Sequence, residues 1–167
     1  MTNPFLPTMI ANRLTELSPQ LLRQRDIQLV MLDFDNTIVP YTTNEPTEEM
    51  ETWLRQMADS EFTLCVVSNS RKDRVKKFCA KYGIDCIIHA RKPFSKGIRQ
   101  CLDRYGVPAG NAVLVGDQIY TDTLGGNFCG VQTLLVKAIH NHNFWLKARH
   151  VLELPFIFVA RKRRILL

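Results

Sequence analysis

A chain of 167 residues with 46% hydrophobic and 23% charged residues has the makeup of one globular domain with a full apolar core, which excludes a disordered or low-complexity protein. Its longest late apolar run, Leu154 to Ala160, falls far short of the ~20 residues that cross a bilayer, and Met1 to Pro7 lacks the pattern of a secretory signal. The formal net charge of +6 is uneven, with acids around Glu45 to Glu51 and Arg161-Lys162-Arg163-Arg164 near the last residue, so an anionic partner is expected.

From Thr8 to Gln24 the apolar residues Met9, Ile10, Leu14, Leu17, Leu21 and Leu22 recur at roughly helical spacing, and Pro19 splits the segment into two short predicted helices. Ile27 to Asp33 reads as a strand buried on both faces, because its apolar residues are nearly continuous. After the loop Pro40 to Pro46, Thr47 with Glu48-Glu49 starts a helix that runs to Ala58 with Met50, Trp53, Leu54 and Met57 on its core face. Phe62 to Val67 is a second buried strand, ending at Ser68-Asn69-Ser70. Asp73 to Tyr82 is an amphipathic helix stopped by Gly83, and Ile84 to His89 a short third strand. Arg91 to Gly97 is a loop that enters a helix through Arg104, closed by Gly106-Val107-Pro108. Ala112 to Val115 is the fourth strand, ended by Gly116-Asp117. A short helix from Thr121 through Phe128 and a fifth strand from Val131 to Val136 follow.

This alternation predicts an α/β fold, a Rossmann-like parallel sheet with helices on both faces, in a single domain over 1–167. The five cysteines are an odd set with no C-x-x-C spacing and mostly apolar neighbours, which fits reduced buried thiols and a reducing compartment. In such sheets ligands bind outside the carboxyl ends of the strands. That rule brings Asp33, Asp35, Ser68, Lys92 and Asp117 to one rim. Each also has a plainer reading, in which Asp33 and Asp35 cap a loop, Ser68 is a turn residue and Asp122 starts a helix. Lys92 competes with Lys96 for the same task and is preferred because Pro93 restricts the loop beside it.

Converging carboxylates repel one another, and a hard divalent cation holds them ionised at least cost. Magnesium is the ion expected, since it combines one or two carboxylates with water and phosphate oxygens. A lysine to offset charge and a hydroxyl to hold an oxygen complete a set suited to phosphoryl transfer.

The ordered motifs Asp33-Phe34-Asp35-Asn36-Thr37, Ser68 after an apolar strand, Lys92, and Gly116-Asp117 with Asp122 resemble the haloacid dehalogenase-type phosphatases from about Ile27 to Val136. Closer still, Asp35-Asn36-Thr37, Ser68-Asn69, Ala90-Arg91-Lys92-Pro93, Gly116-Asp117-Gln118, Thr121-Asp122 and Gly125-Gly126-Asn127 resemble the YqeG-type and mitochondrial phosphatidylglycerophosphate phosphatases. The resemblance implies that Asp33 is the nucleophile that forms an aspartyl-phosphate and Asp35 the proton carrier. It implies magnesium at the Asp33 carboxylate, the Asp35 carbonyl and Asp117. Ser68 and Asn69 would bind phosphoryl oxygens, and Lys92 would neutralise charge on nucleophile and substrate. Thr37 would be a supporting residue of the site, and Asp122 would orient Lys92 or a metal-bound water. The substrate implied is phosphatidylglycerophosphate, dephosphorylated to phosphatidylglycerol.

The interval from Thr37 to Ser68 is filled by one helix and one strand, as is that from Lys92 to Gly116, so no cap domain is expected. An open crevice suits a phosphate on a large carrier. Residues 140–167 mix aromatic and aliphatic bulk, such as Phe144, Trp145, Phe156 and Phe158, with Arg161 to Arg164, a composition that binds anionic membrane surfaces. An anionic phospholipid substrate and a membrane surface are therefore the expected partners, with no nucleic acid. The expected location is cytoplasmic and peripheral on the inner face of a membrane, or the mitochondrial matrix or plastid in an organelle-bearing source. His140 and His142 read as solvent-facing. Two other functions fit the same residues less closely: a phosphatase of soluble nucleotides or sugar phosphates, and a nucleic-acid or ribosome-binding protein whose basic tail docks to RNA.

Overall fold

The computed structural model describes residues 3–43, 45–71, 73–139 and 155–159. Among the described residues six strands, β1 (Met9–Ala11), β2 (Leu29–Leu32), β3 (Thr63–Val67), β4 (Asp85–Ile87), β5 (Ala112–Gly116) and β6 (Gln132–Val136), lie in the order β1-β6-β5-β2-β3-β4, all parallel. Among the described residues the helices α1 (Pro19–Gln24), α2 (Glu48–Ala58), α3 (Asp73–Tyr82), α4 (Lys96–Tyr105) and α5 (Leu124–Phe128) accompany them, besides a helical turn at 155–159. This is the Rossmann-like α/β arrangement that the alternation predicts.

The sheet is covered on both faces, and β2 shows why its sequence is uninterrupted. Val30 and Leu32 face a layer built from α1, α2 and α3, whereas Leu29 and Met31 face α4. All four are wholly buried. The helix α2 starts where Thr47 accepts the Met50 N–H at 3.2 Å, and three glutamates in its first turn complement the helix dipole. On its inner face Trp53 donates its indole N–H to the Leu17 carbonyl at 2.8 Å, which ties the helix to the N-terminal segment. All five cysteines are free thiols, three of them buried.

One element departs from the sequence reading. The first of the two helices predicted between Thr8 and Gln24 is instead strand β1 followed by a single 3-10 turn at Leu14–Glu16, with β1 paired to β6 from Met9 opposite Leu134 to Ala11 opposite Val136. The unpaired edge of β6 supplies backbone partners that no local pattern foretells, and this overrides a weak helical periodicity. The second predicted helix stands as α1, with Pro19 in its first turn and Ser18 accepting the Leu21 N–H. The third predicted strand is shorter than Ile84 to His89, because His89 takes a positive φ of 54° and the chain turns there.

Between Thr37 and Ser68 the described residues hold α2 and β3 and no further element. No helix among the described residues is long and apolar enough to cross a membrane. His140, His142 and the basic run Arg161 to Arg164 lie outside the described residues. Of the C-terminal segment, only the helical turn 155–159 is described, and it packs Phe156 against Phe5 with ring centres 5.1 Å apart.

Candidate active site

Register places the site. Leu32 of β2 stands opposite Val66 of β3 and Val115 of β5, so the next residues of all three central strands emerge in one row at the carboxyl edge. Asp33 continues the ladder by donating its N–H to the Val115 carbonyl at 2.8 Å. Beyond it the chain folds back on itself: Asn36, at φ 63°, donates its N–H to the Val39 carbonyl, and its side-chain oxygen accepts the Tyr41 N–H. This tight loop turns Asp33 and Asp35 toward the same space.

Asp33, Asp35, Ser68, Asn69 and Lys92 line one crevice of about 320 Å³, together with Asn36, Tyr41, Ser70, Gln118 and Thr121. Lys92 is the centre of its charge network. Its ammonium lies 2.7 Å from Asp33 Oδ1 and 2.7 Å from Asp122 Oδ1, with all three side chains almost fully buried. The backbone beneath it is held at two points by Asn69, whose amide donates to the Lys92 carbonyl at 2.9 Å and accepts the Lys92 N–H at 2.7 Å. The Asn69 side chain therefore fixes Lys92, a role additional to the oxyanion contact expected of its backbone. Lys96, the rival for the same task, is exposed in the first turn of α4.

Ser68 is buried, and its hydroxyl accepts the Ser70 N–H at 3.1 Å, which leaves its proton to donate into the crevice. Thr37 does not line the crevice. It is buried in the loop, with no hydrogen-bond partner for its hydroxyl among the described residues. Asp122 is more than a helix start, because it sits deep against Lys92 and accepts the Gln118 N–H at 3.2 Å. Gly116 is required for this: a Cβ there would fall 2.2 Å from Asp122 Oδ2.

Burial pushes the Asp33 carboxyl up to about 7; Lys92 opposes this, and the negative charges of Asp122 and Asp35 add to it. Lys92 moves the other way from what its own burial would cause, since the Asp122 and Asp33 carboxylates hold it above its ordinary value. One oxygen each of Asp33, Asp117 and Asp122 lie within 4.8 Å of one another, so three carboxylates share a space with one lysine. A divalent cation fits this donor set. Both oxygens of Asp122 are already engaged, by Lys92 and by the Gln118 N–H, which makes Asp33 and Asp117 the pair best suited to ligate it.

One residue of the site had no signal in the sequence. Arg74, in the first turn of α3, pairs with the Asp35 carboxylate and donates to the Tyr41 carbonyl at 2.9 Å. Val75, Phe78 and Cys79 mark the core face of α3, and nothing in that pattern says what the flank beside it meets.

Comparison with known proteins gives a consistent result. A HAD-hydrolase-like family model matches residues 89–143. The chain is 33% identical over 132 residues to a protein of Bacillus subtilis described as probable phosphatase YqeG, covering 79% of this chain and 77% of that one. Among solved structures it is similar in fold to the cobalt-bound deoxy-D-mannose-octulosonate 8-phosphate phosphatase of Haemophilus influenzae, with a TM-score of 0.52 and 14% identity over 75% of each chain. It is also similar to a 2-haloacid dehalogenase of Pseudomonas syringae, with a TM-score of 0.51 and 17% identity over 65% of this chain and 86% of that one.

Proposed function

Because this chain belongs to the HAD-like hydrolases, as a phosphatase of the YqeG type, we propose that it is a magnesium-dependent phosphomonoester hydrolase that dephosphorylates phosphatidylglycerophosphate at a membrane surface. The observation that carries the chemistry is the buried Asp33 carboxylate, in contact with Lys92 and converging with Asp117 and Asp122 at the mouth of an open sheet edge.

In the first step an Asp33 carboxylate oxygen attacks phosphorus, the bond from phosphorus to the leaving oxygen breaks, and Asp35 gives its proton to that oxygen. Water then attacks the aspartyl-phosphate and passes a proton to Asp35, which releases inorganic phosphate and restores Asp33. Ser68 and the Asn69 backbone hold the phosphoryl oxygens, and Lys92 offsets their charge. A magnesium ion held by Asp33, the Asp35 carbonyl and Asp117 would supply positive charge for the nucleophile and the transferring group. Asp33 is poorly solvated, so its ionised form is reactive once a cation is present to keep it ionised.

Several features support the lipid substrate. Among the described residues the interval from Thr37 to Ser68 holds α2 and β3 and nothing that covers the crevice, and large apolar side chains stand exposed near its rim. Phe94, two residues from Lys92, is 73% exposed, and Tyr41, which lines the crevice, is 48% exposed. On the turn 155–159 Phe156 packs inward while Phe158 and Val159 face out, and the basic run Arg161 to Arg164 follows in sequence. An apolar anchor beside a basic cluster suits an anionic bilayer.

The test is turnover of phosphatidylglycerophosphate in mixed micelles against soluble nucleotide and sugar phosphates at matched concentration, with magnesium and with chelator. The lipid is expected to be the best substrate and the chelator to stop the reaction. Equal or faster turnover of the soluble compounds in lipid-free buffer would replace the lipid assignment. Salt-sensitive RNA binding with no turnover at all would replace the enzyme.

The close approach at Gly116 carries a prediction of its own. Gly116→Ala is expected to push Asp122 away from Lys92 and lower kcat by about 10- to 100-fold, as displacements of about 1 Å in an active site do. Phosphate release, with circular dichroism to show that the sheet remains, checks this. Wild-type activity in a folded variant would mean that Asp122 does not position Lys92.

A further inference from the structure

Arg74 belongs to none of the motifs, yet it pairs with Asp35. One guanidinium nitrogen, Nη2, pairs with Asp35 Oδ1 and the other, Nη1, donates to the Tyr41 carbonyl at 2.9 Å. The guanidinium lies 5.1 Å from the centre of the Phe34 ring and 5.8 Å from that of Tyr41. With 14% of its side chain exposed, Arg74 is largely enclosed by the segment it grips. It therefore touches the Asp33 to Tyr41 loop at the ring before Asp35, at Asp35 itself and at the loop's far end.

A carboxyl on a two-bond stem has several staggered positions, and a planar fork already held by three other contacts selects one of them. We propose that Arg74 is a positioning residue that aims the Asp35 carboxyl at the leaving oxygen, so that it governs protonation of the leaving group more than attack on phosphorus. This rests on the phosphatase reading. As the bond from Asp33 to phosphorus forms, the bond from phosphorus to the leaving oxygen breaks and its electron pair stays on that oxygen. An alkoxide needs the Asp35 proton to depart as an alcohol. A nitrophenolate is stable enough to depart as the anion. A residue that aims Asp35 therefore matters for alkyl phosphates and much less for aryl phosphates, whereas a merely structural ion pair would affect both alike.

The experiment measures kcat/KM, which reports aspartyl-phosphate formation, for glycerol phosphate and para-nitrophenyl phosphate with magnesium, using wild type, Arg74→Gln and Arg74→Lys. Arg74→Gln is expected to lose about 100-fold on the alkyl ester, the scale of general acid catalysis, and no more than about fivefold on the aryl ester. Because water activation also uses Asp35, the same variant should release nitrophenolate in a burst of one per enzyme before a slow steady state. Arg74→Lys, a point charge without the planar fork, should recover part of the alkyl activity. Equal losses on both esters, or no loss on either, would overturn the proposal. If Arg74→Gln does not fold, the split between the two esters in Arg74→Lys decides in the same way. A wild type that releases no more phosphate than Asp33→Asn from either ester and from phosphatidylglycerophosphate would remove the phosphatase reading and this proposal with it; an active wild type with unsplit Arg74 variants, the lipid standing in for glycerol phosphate where that ester is not turned over, removes this proposal alone.

Discussion

Asp33→Asn is expected to abolish phosphate release, with kcat lower by at least about 10⁴-fold, in a protein that remains folded. An amide in place of the carboxylate keeps an oxygen to accept from Lys92 but has no electron pair of comparable nucleophilicity, so no aspartyl-phosphate forms. The stability of this variant should move the other way. Burial pushes Asp33 up to about 7 in the folded chain, against an ordinary value of 3.8. Between those two pH values the folded state binds more protons at this position than the unfolded state, so without a bound cation its contribution to stability falls as pH rises from about 4 to 7. Asn carries no such slope. In metal-free buffer the difference in thermal midpoint, Asp33→Asn minus wild type, should therefore grow between pH 5 and pH 8, and saturating magnesium should shrink it by stabilising only the wild type. Such trade-offs between stability and activity are common where charge is held in a buried site. Retained phosphate release in this variant would remove Asp33 from the nucleophile's role.

Lys92→Met is expected to be the most destabilising single change in the site, at about 3–5 kcal/mol, the scale for removing one partner of a buried ion pair. Lys92 touches Asp33 and Asp122, both almost fully buried, and its loss leaves two carboxylates with no cation between them. For a domain of this size each kcal/mol shifts the midpoint by about 2–4 °C, so a fall of roughly 10 °C is expected by calorimetry. Because the two carboxylates hold Lys92 above its ordinary value, its stabilising effect is kept on the alkaline side up to about pH 10. The deficit of the variant should nevertheless narrow at acid pH, where protonation relieves the carboxylates left behind. Activity should be lost together with stability. A variant as stable as the wild type at pH 8 would show that Asp33 and Asp122 are held by something other than Lys92.

Much of this organisation was legible in the residues alone, and for a physical reason. Central strands of a parallel sheet are buried on both faces, so β2, β3 and β5 announce themselves as uninterrupted apolar runs, and the polar residues that end them must lie at the rim. That is why the sequence alone places Asp33, Ser68 and Asp117 at one rim. The helices α2, α3 and α4 were readable from their apolar periodicity and their end signals, such as Thr47, Gly83 and Gly106.

What the residues alone did not determine depends on partners distant in sequence. Strand β1 exists because β6, more than a hundred residues later, offers it an edge, and three residues are too few to show a strand's period. Arg74 reaches Asp35 only because α3 packs over the loop that carries Phe34 and Tyr41. The deep seat of Asp122 depends on the absence of a side chain at Gly116, a close approach between two elements that no spacing rule encodes. Local sequence determined the elements other than β1 and which residues stand at their ends. The tertiary structure decided which of those residues share a proton, a charge or a bond, because burial and long-range contact set those terms.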